Sequence, residues 1–275
     1  GPRIPMADAV DGAWRAAAAL EPTGGGHFAE AILTTDTRPK QTVVEGDGFT
    51  VGGCAKGAGM IAPDLATLLV FLTTDAVADP GAVRNALDQG AAPVWNGVTV
   101  DGCSSTNDSV LLMANGASGA SSSPDAFTDA VAQACRDLAL QVLEDAEGAT
   151  TTLVVQVDGA ATNDDARAVG RAVAGSLLVK TALFGRDPNP GRILQAMGAS
   201  AVPFTPDSVH AILAGVPVVQ HGAIPPTFDP QGCAEAMKER EVVLRISLGD
   251  GPGSATAFGC DLGYEYVRIN AEYTT

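Results

Sequence analysis

The chain has 275 residues, 46% of them hydrophobic and 17% charged, which supports a substantial buried core in one elaborate domain or two small ones. With 16 Lys and Arg against 32 Asp and Glu, the formal net charge is −16. Such a surface repels phosphate backbones and anionic lipid, arguing against nucleic-acid and membrane partners, and weakly favours a cationic substrate.

Residues 10–20 are Ala-rich and predict a helix after Asp8 or Asp11, followed by a Pro- and Gly-containing loop over 21–26. Residues 28–33 and 41–44 read as short extended or mixed segments. The glycine-rich stretch 49–58 suits a turn that approaches a ligand closely. The apolar run 67–73 predicts a buried strand, 80–89 a helix with Pro80 in its first turn, and 109–113 another buried strand. Ser123 and Pro124 fit the N-cap and first position of a long helix. Phe127, Val131, Cys135, Leu138 and Val142 fall on one of its faces, and Gly148 is expected to stop it. Residues 150–157 predict a strand, 164–180 a helix and 191–197 a short helix. Residues 242–248, 254–260 and 264–269 read as strands joined by Gly/Pro turns. Helices and strands alternate in the middle and strands dominate the end, so the class is a mixed, layered α/β fold.

Five cysteines lack any C-x-x-C pair, and the three histidines neither cluster nor sit at ligand spacing. No metal site or disulfide framework is therefore expected, and the thiols read as reduced, as in the cytoplasm. The apolar runs are too short to span a bilayer, and the first residues carry no charged-then-apolar signal segment.

The pair Ala66-Thr67 lies between a Gly- and Pro-containing loop and the apolar residues 68–72. A threonine at such a junction can attack the carbonyl before it, convert the amide to an ester and leave by hydrolysis as a new N-terminus. Its free amine, with a pKa of about 7.7–8, can then act as the base for its own hydroxyl. Most Ala-Thr pairs before a strand are only strand starts, so the surrounding residues decide.

The run Lys56-Gly57-Ala58-Gly59-Met60-Ile61-Ala62-Pro63-Asp64-Leu65-Ala66-Thr67-Leu68-Leu69 resembles the self-cleavage signature K-G-x-G-M-x-x-P-x-x-A-T-x-L of the ornithine acetyltransferase (glutamate N-acetyltransferase) family of arginine biosynthesis. Thr34-Thr35-Asp36-Thr37-Arg38-Pro39-Lys40 resembles that family's T-T-D-T-x-P-K, and the run 101–108 its D-x-x-x-S-T-N-D. Glu147-Gly148-Ala149-Thr150, Asp187-Pro188-Asn189 and the C-terminal run 266–275 follow in the same order.

The resemblance implies α/β sandwich-like layers built from two products of self-cleavage, residues 1–66 and 67–275, which stay associated, as a heterotetramer. It implies transfer of an acetyl group from N-acetylornithine to glutamate, releasing ornithine, with no metal or organic cofactor; some members also accept acetyl-CoA. Thr67 would be the nucleophile. Lys56 would engage the substrate carboxylate and Thr34 would contact substrate, with Thr35 as the alternative facing the site. Glu147 would reach the amino end of ornithine, and Asn270 and Thr275 would form a C-terminal clamp. The polar run 105–108 reads better as local backbone capping than as catalysis.

Two departures stand out. The family's oxyanion donors, a Thr-Gly pair, precede the segment that resembles Gly1-Pro2-Arg3-Ile4-Pro5-Met6, so part of the family's α subunit is expected to be missing from this chain. Pro190 also stands where the family usually has Trp. Two other functions compete: an amidase or aminopeptidase using the same nucleophile with water as acceptor, and an incomplete, non-catalytic homologue.

Overall fold

The computed structural model describes residues 4–62, 68–105 and 107–272. Its architecture is the layered α/β class expected. Four strands form the first sheet in the order β1-β2-β3-β4: β1 (Lys40–Glu45), β2 (Thr50–Lys56), β3 (Leu69–Thr74) and β4 (Ser109–Ala114). β1–β2 and β2–β3 are antiparallel, whereas β3–β4 is parallel. A parallel step needs a crossover. Here α3 (Pro80–Asn85), a π-helical segment (Ala86–Ala91) and α4 (Ala92–Trp95) carry it. Asp79 caps α3 by accepting the Ala82 N–H, and Pro80 occupies its first turn.

The glycine-rich stretch is not a turn but β2, between β1 and β3. A Cβ at Gly53 would come within 2.6 Å of Leu72 and 3.4 Å of Leu138, so the missing side chain lets neighbouring strand and helix close on the sheet. That helix is α5 (Pro124–Glu144), capped by Ser123 accepting the Ala126 N–H, with Phe127, Val131, Cys135, Leu138 and Val142 all buried. It ends before Gly148. The left-handed φ of Gly148 (71°) serves a different need, since a Cβ there would lie 2.3 Å from the Tyr266 nitrogen.

The second sheet contains β5 (Thr152–Gly159), β6 (His210–Leu213), β7 (Val216–Val219), β8 (Glu241–Ser247) and β9 (Gly251–Cys260), in the order β7-β6-β8-β5-β9. Alternate residues of its strands enter two cores. Val154, Phe258 and Cys260 join α5 and the first sheet. Leu153, Val155, Val157 and Ala257 pack with α6 (Asn163–Ala174), α7 (Leu177–Phe184) and α8 (Pro190–Gly198). The layers therefore run sheet, helix, sheet, helix. The first half of β5 carries an unbroken apolar run, Leu153 to Val155, because it is covered on both faces there.

Several elements differ from expectation. Residues 28–33 lie largely in a helix, α2 (Gly25–Ala31), following the Ala-rich α1 (Met6–Ala18). The ring of Phe28 meets Phe71 edge-on at 4.9 Å, and that contact sets the local structure. The helix expected over 164–180 is two, α6 and α7, because Ser176 starts a new cap by accepting the Val179 N–H. Residues 264–269 form the C-terminal helix α10 (Tyr264–Glu272), not a strand. Its aromatic and β-branched residues favour extension, but Arg268 pairs with Glu265 and Glu272 at helical spacing. Neither the short β6–β7 hairpin nor α9 (Pro230–Ala236) is anticipated by periodicity. Pro190 is the buried first residue of α8, preceded by Asn189, which caps by accepting the Arg192 N–H. Among the described residues, no helix is long and apolar enough to cross a membrane.

Candidate active site

β2 delivers Lys56 at its end. The side chain is buried, and its Nζ donates to Thr34 Oγ1 at 3.2 Å. Thr34 sits on the connection from α2 to β1, and Asp36 shapes that connection. Asp36 Oδ1 accepts the Gly57 N–H at 2.7 Å, and Oδ2 accepts the Thr34 N–H at 3.1 Å. Asp36 is fixed in turn by Lys40, whose fully buried Nζ lies 2.5 Å from Asp36 Oδ1 and 2.5 Å from Asp145 Oδ2. Asp145 also accepts from the backbone and hydroxyl of Thr37. Burial alone raises both carboxyls. For Asp36 the Gly57 N–H and Lys40 outweigh it, and for Asp145 Lys40 and Thr37 do so, holding both below the usual carboxylate range. The T-T-D-T-x-P-K run thus works as a brace that sets Thr34 beside Lys56. Thr35 instead lines a groove with Thr37, Glu147, Gly148 and Ile269.

Glu147 follows α5, and its N–H donates to the Ala58 carbonyl at 2.8 Å. Its carboxylate lies against Gly59, where a Cβ would come within 2.7 Å. The Asn270 amide, on α10, donates to Glu147 Oε2 at 2.9 Å and to the Tyr266 carbonyl at 3.0 Å. A second tie fastens the same helix: the Tyr266 hydroxyl donates to Asp101 Oδ2 at 3.2 Å. Asp101 also accepts the N–H groups of Met60, Ile61 and Cys103. Burial, together with Asp101, pushes the Tyr266 hydroxyl well above its ordinary pKa, so it stays a donor.

The Lys56–Thr34 pair therefore stands where the segment Gly57 to Gly59 begins, and the Glu147–Asn270 pair stands against Gly59, where it ends. A cation and a carboxylate so placed suit a ligand carrying both charges, such as an amino acid. Four of the expected substrate-contacting residues meet in two hydrogen-bonded pairs. Ala66, Thr67 and Thr275 lie outside the described residues.

The run 105–108 behaves differently from a local cap. Asn107 does turn back on Ser105. Asp108, however, reaches across to the residue that precedes β3, accepting the Leu68 N–H at 2.6 Å. Asp36, Lys40, Asp101 and Tyr266 are not among the site residues read from the sequence, although all four stand inside quoted motifs; for the first three a charged residue flanked by small polar ones is the available signal.

The sequence matches the ArgJ family over residues 1–275. It is 46% identical over 285 residues to the arginine biosynthesis bifunctional protein ArgJ of Symbiobacterium thermophilum, covering 100% of this chain and 71% of that protein. It is 44% identical over 266 residues to the glutamate N-acetyltransferase of Methanocaldococcus jannaschii, covering 90% of this chain and 65% of that protein. The crystal structure of the ArgJ protein from Bacillus halodurans, 37% identical, superimposes with a TM-score of 0.69 over 74% of this chain and 98% of the solved one. With the family's motifs in order and its fold in place, the chain belongs to the ArgJ family.

Proposed function

We propose that the chain is a glutamate N-acetyltransferase of arginine biosynthesis that works through an acetyl ester on Thr67. The observation that carries this reading is the pairing of Lys56 with Thr34 and of Glu147 with Asn270 around Gly57 to Gly59. It provides opposite charges for the two ends of an amino-acid donor. The names of the curated relatives support the same chemistry.

In this mechanism the chain opens between Ala66 and Thr67. The Thr67 hydroxyl attacks the acetyl carbonyl of N-acetylornithine while the Thr67 amine takes the hydroxyl proton. That proton passes to the departing nitrogen of ornithine. Glutamate then attacks the ester through its own amine, and the Thr67 hydroxyl is restored. Lys56 holds a carboxylate, Thr34 orients Lys56 and substrate, and Glu147 faces the cationic end of ornithine. Thr275 completes the C-terminal clamp with Asn270. The two products remain associated, as a heterotetramer, and a reducing cytoplasmic setting agrees with the five free thiols.

The test is mass spectrometry of protein treated with N-acetylornithine alone. One acetyl group should appear on the fragment that begins at Thr67, and glutamate should remove it as N-acetylglutamate. Sequential kinetics without an acetylated fragment would reject the mechanism. Release of free acetate without glutamate would make the protein an amidase.

A further inference from the structure

The spacing Tyr266-Val267-Arg268-Ile269-Asn270 puts Tyr266 and Asn270 one turn apart on the same face of α10. Both use that face to reach the site. The Tyr266 hydroxyl donates to Asp101 Oδ2 at 3.2 Å, and the Asn270 amide donates to Glu147 Oε2 at 2.9 Å. The same amide donates to the Tyr266 carbonyl at 3.0 Å, so the two residues are joined within the helix. Among the described residues, the bonds to Asp101 and Glu147 are the hydrogen bonds that tie α10 to the rest of the fold. The Tyr264 ring also meets Phe184 edge-on at 5.5 Å, but no residue of the helix is buried.

The two ends of this connection differ in stiffness. Asp101 is held by three backbone donors: Oδ2 accepts the Met60 N–H at 2.7 Å, and Oδ1 accepts those of Ile61 and Cys103, each at 3.1 Å. Met60 has a left-handed φ of 53°, which a non-glycine residue keeps only when its surroundings hold it there. The N–H groups of such successive residues form a concavity for an anion, here the Asp101 carboxylate. Glu147 is fixed only through its backbone, by the bond from its N–H to the Ala58 carbonyl. Its side chain turns about several bonds, and Asn270 is the hydrogen-bond partner of its carboxylate among the described residues. A long side chain that is aimed beforehand loses less rotamer freedom when a ligand arrives.

We propose that Tyr266 is a positioning residue for donor selection: anchored on Asp101, it holds α10 so that Asn270 aims the Glu147 carboxylate at the cationic end of the donor. This rests on the reading of the chain as an acetyltransferase that takes N-acetylornithine. Tyr266 acts through Asn270 and Glu147 and touches no substrate. Without the anchor, α10 keeps its own pairs of Arg268 with Glu265 and Glu272, but Asn270 loses its register with Glu147. The ammonium of ornithine is remote from the reacting carbonyl, so the loss falls on binding of the donor and not on the chemical step.

The experiment measures kcat and KM, with glutamate as acceptor, for N-acetylornithine and for N-acetylnorvaline, which has the ornithine chain without its terminal amine. Tyr266→Phe removes the hydroxyl and keeps the ring. The ratio of kcat/KM between the two donors should fall about twofold to tenfold, mainly through a higher KM for N-acetylornithine. Asn270→Ala should lower the same ratio, and Tyr266→Phe added to Asn270→Ala or to Glu147→Gln should lower it no further. A bond that merely supports the fold would weaken both donors alike and leave the ratio where it was.

A ratio unchanged in Tyr266→Phe overturns the role of Tyr266 and leaves the acetyltransferase reading standing. Independent, additive losses in the double variants overturn it as well, because they break the relay through Asn270 and Glu147. A Tyr266→Phe protein that does not fold makes Tyr266 structural, and the proposal falls. Wild-type protein that uses both donors equally overturns selection by charge, and wild-type protein that transfers no acetyl group overturns the functional reading and this inference with it.

Discussion

Asn270 donates a hydrogen bond to Glu147 at 2.9 Å, joining the C-terminal helix to the segment that follows α5 across 123 positions of sequence. The contact orients Glu147 toward Gly59 without neutralising it, since an amide supplies a donor and no charge. Glu147 therefore remains available to a cationic ligand.

Glu147→Gln should cost donors that carry a free ammonium far more than donors that lack one. Removing one partner of a desolvated charge pair costs about 2–5 kcal/mol. Glu147 is half-buried, so the lower end applies, a loss of roughly thirtyfold in kcat/KM for N-acetylornithine. The check is a comparison with an N-acetylated amino acid of similar length but no side-chain amine. An equal loss with both would assign Glu147 a structural role.

Lys40→Met should be severely destabilising. The substitution leaves two buried carboxylates, Asp36 and Asp145, without their shared cation. Breaking a buried pair in this way costs about 3–5 kcal/mol, measurable by urea unfolding. The pH dependence follows from the direction of the shifts. Both carboxyls titrate below their ordinary value of 3.8 in the folded protein. Their contribution is present above that value and is lost as the pH falls through the folded pKa values. Without Lys40, both carboxyls lose part of what holds them down against burial. The stability gap between wild type and variant should therefore narrow as the solution is acidified.

Tyr266→Phe removes the donor to Asp101 and leaves the ring. The loss should be about 0.5–1.5 kcal/mol, felt mainly by α10, none of whose residues is buried. Hydrogen exchange should quicken across residues 264–272 while β5 and α5 keep their protection. Uniform loss of protection would mean that α10 is part of the cooperative core.

Thr67→Ala should leave the chain intact and abolish acetyl transfer, because it removes both the attacking hydroxyl and the future nucleophile. Intact-mass measurement reads the first effect, and an assay with N-acetylornithine and glutamate the second. A Thr67→Ala chain that still breaks between residues 66 and 67 would exclude self-cleavage by this hydroxyl.

The long elements were legible because their signals are local and redundant. α5 shows it: Ser123, Pro124 and five apolar residues on one face agree on where it starts and which side is buried. α10 misled because Tyr264, Tyr266, Val267 and Ile269 favour extension, while the forces holding it helical are pairs with Arg268 and ties to Asp101 and Glu147. β6 and β7 have four residues each, too few for a period to register. At the site, motif order located Thr34, Lys56, Glu147 and Asn270. The brace of Lys40, Asp36 and Asp145 stayed hidden because Asp145 lies 105 positions from Lys40. Asp108 does cap a backbone N–H, as read, but that of Leu68, 40 positions away, and not a local one.

β3 begins with Leu69 in the interior of the first sheet, six residues paired to β2 on one edge and six to β4 on the other. A break in the chain before residue 68 would put β1 and β2 in one piece and β3 and β4 in the other, with the β2–β3 ladder as the seam. Neither piece could leave without stripping that ladder and exposing Val70 and Leu72, both fully buried. Such a nick would cost the molecule a peptide bond and almost nothing of its architecture, so the two polypeptides should unfold together, as one cooperative body.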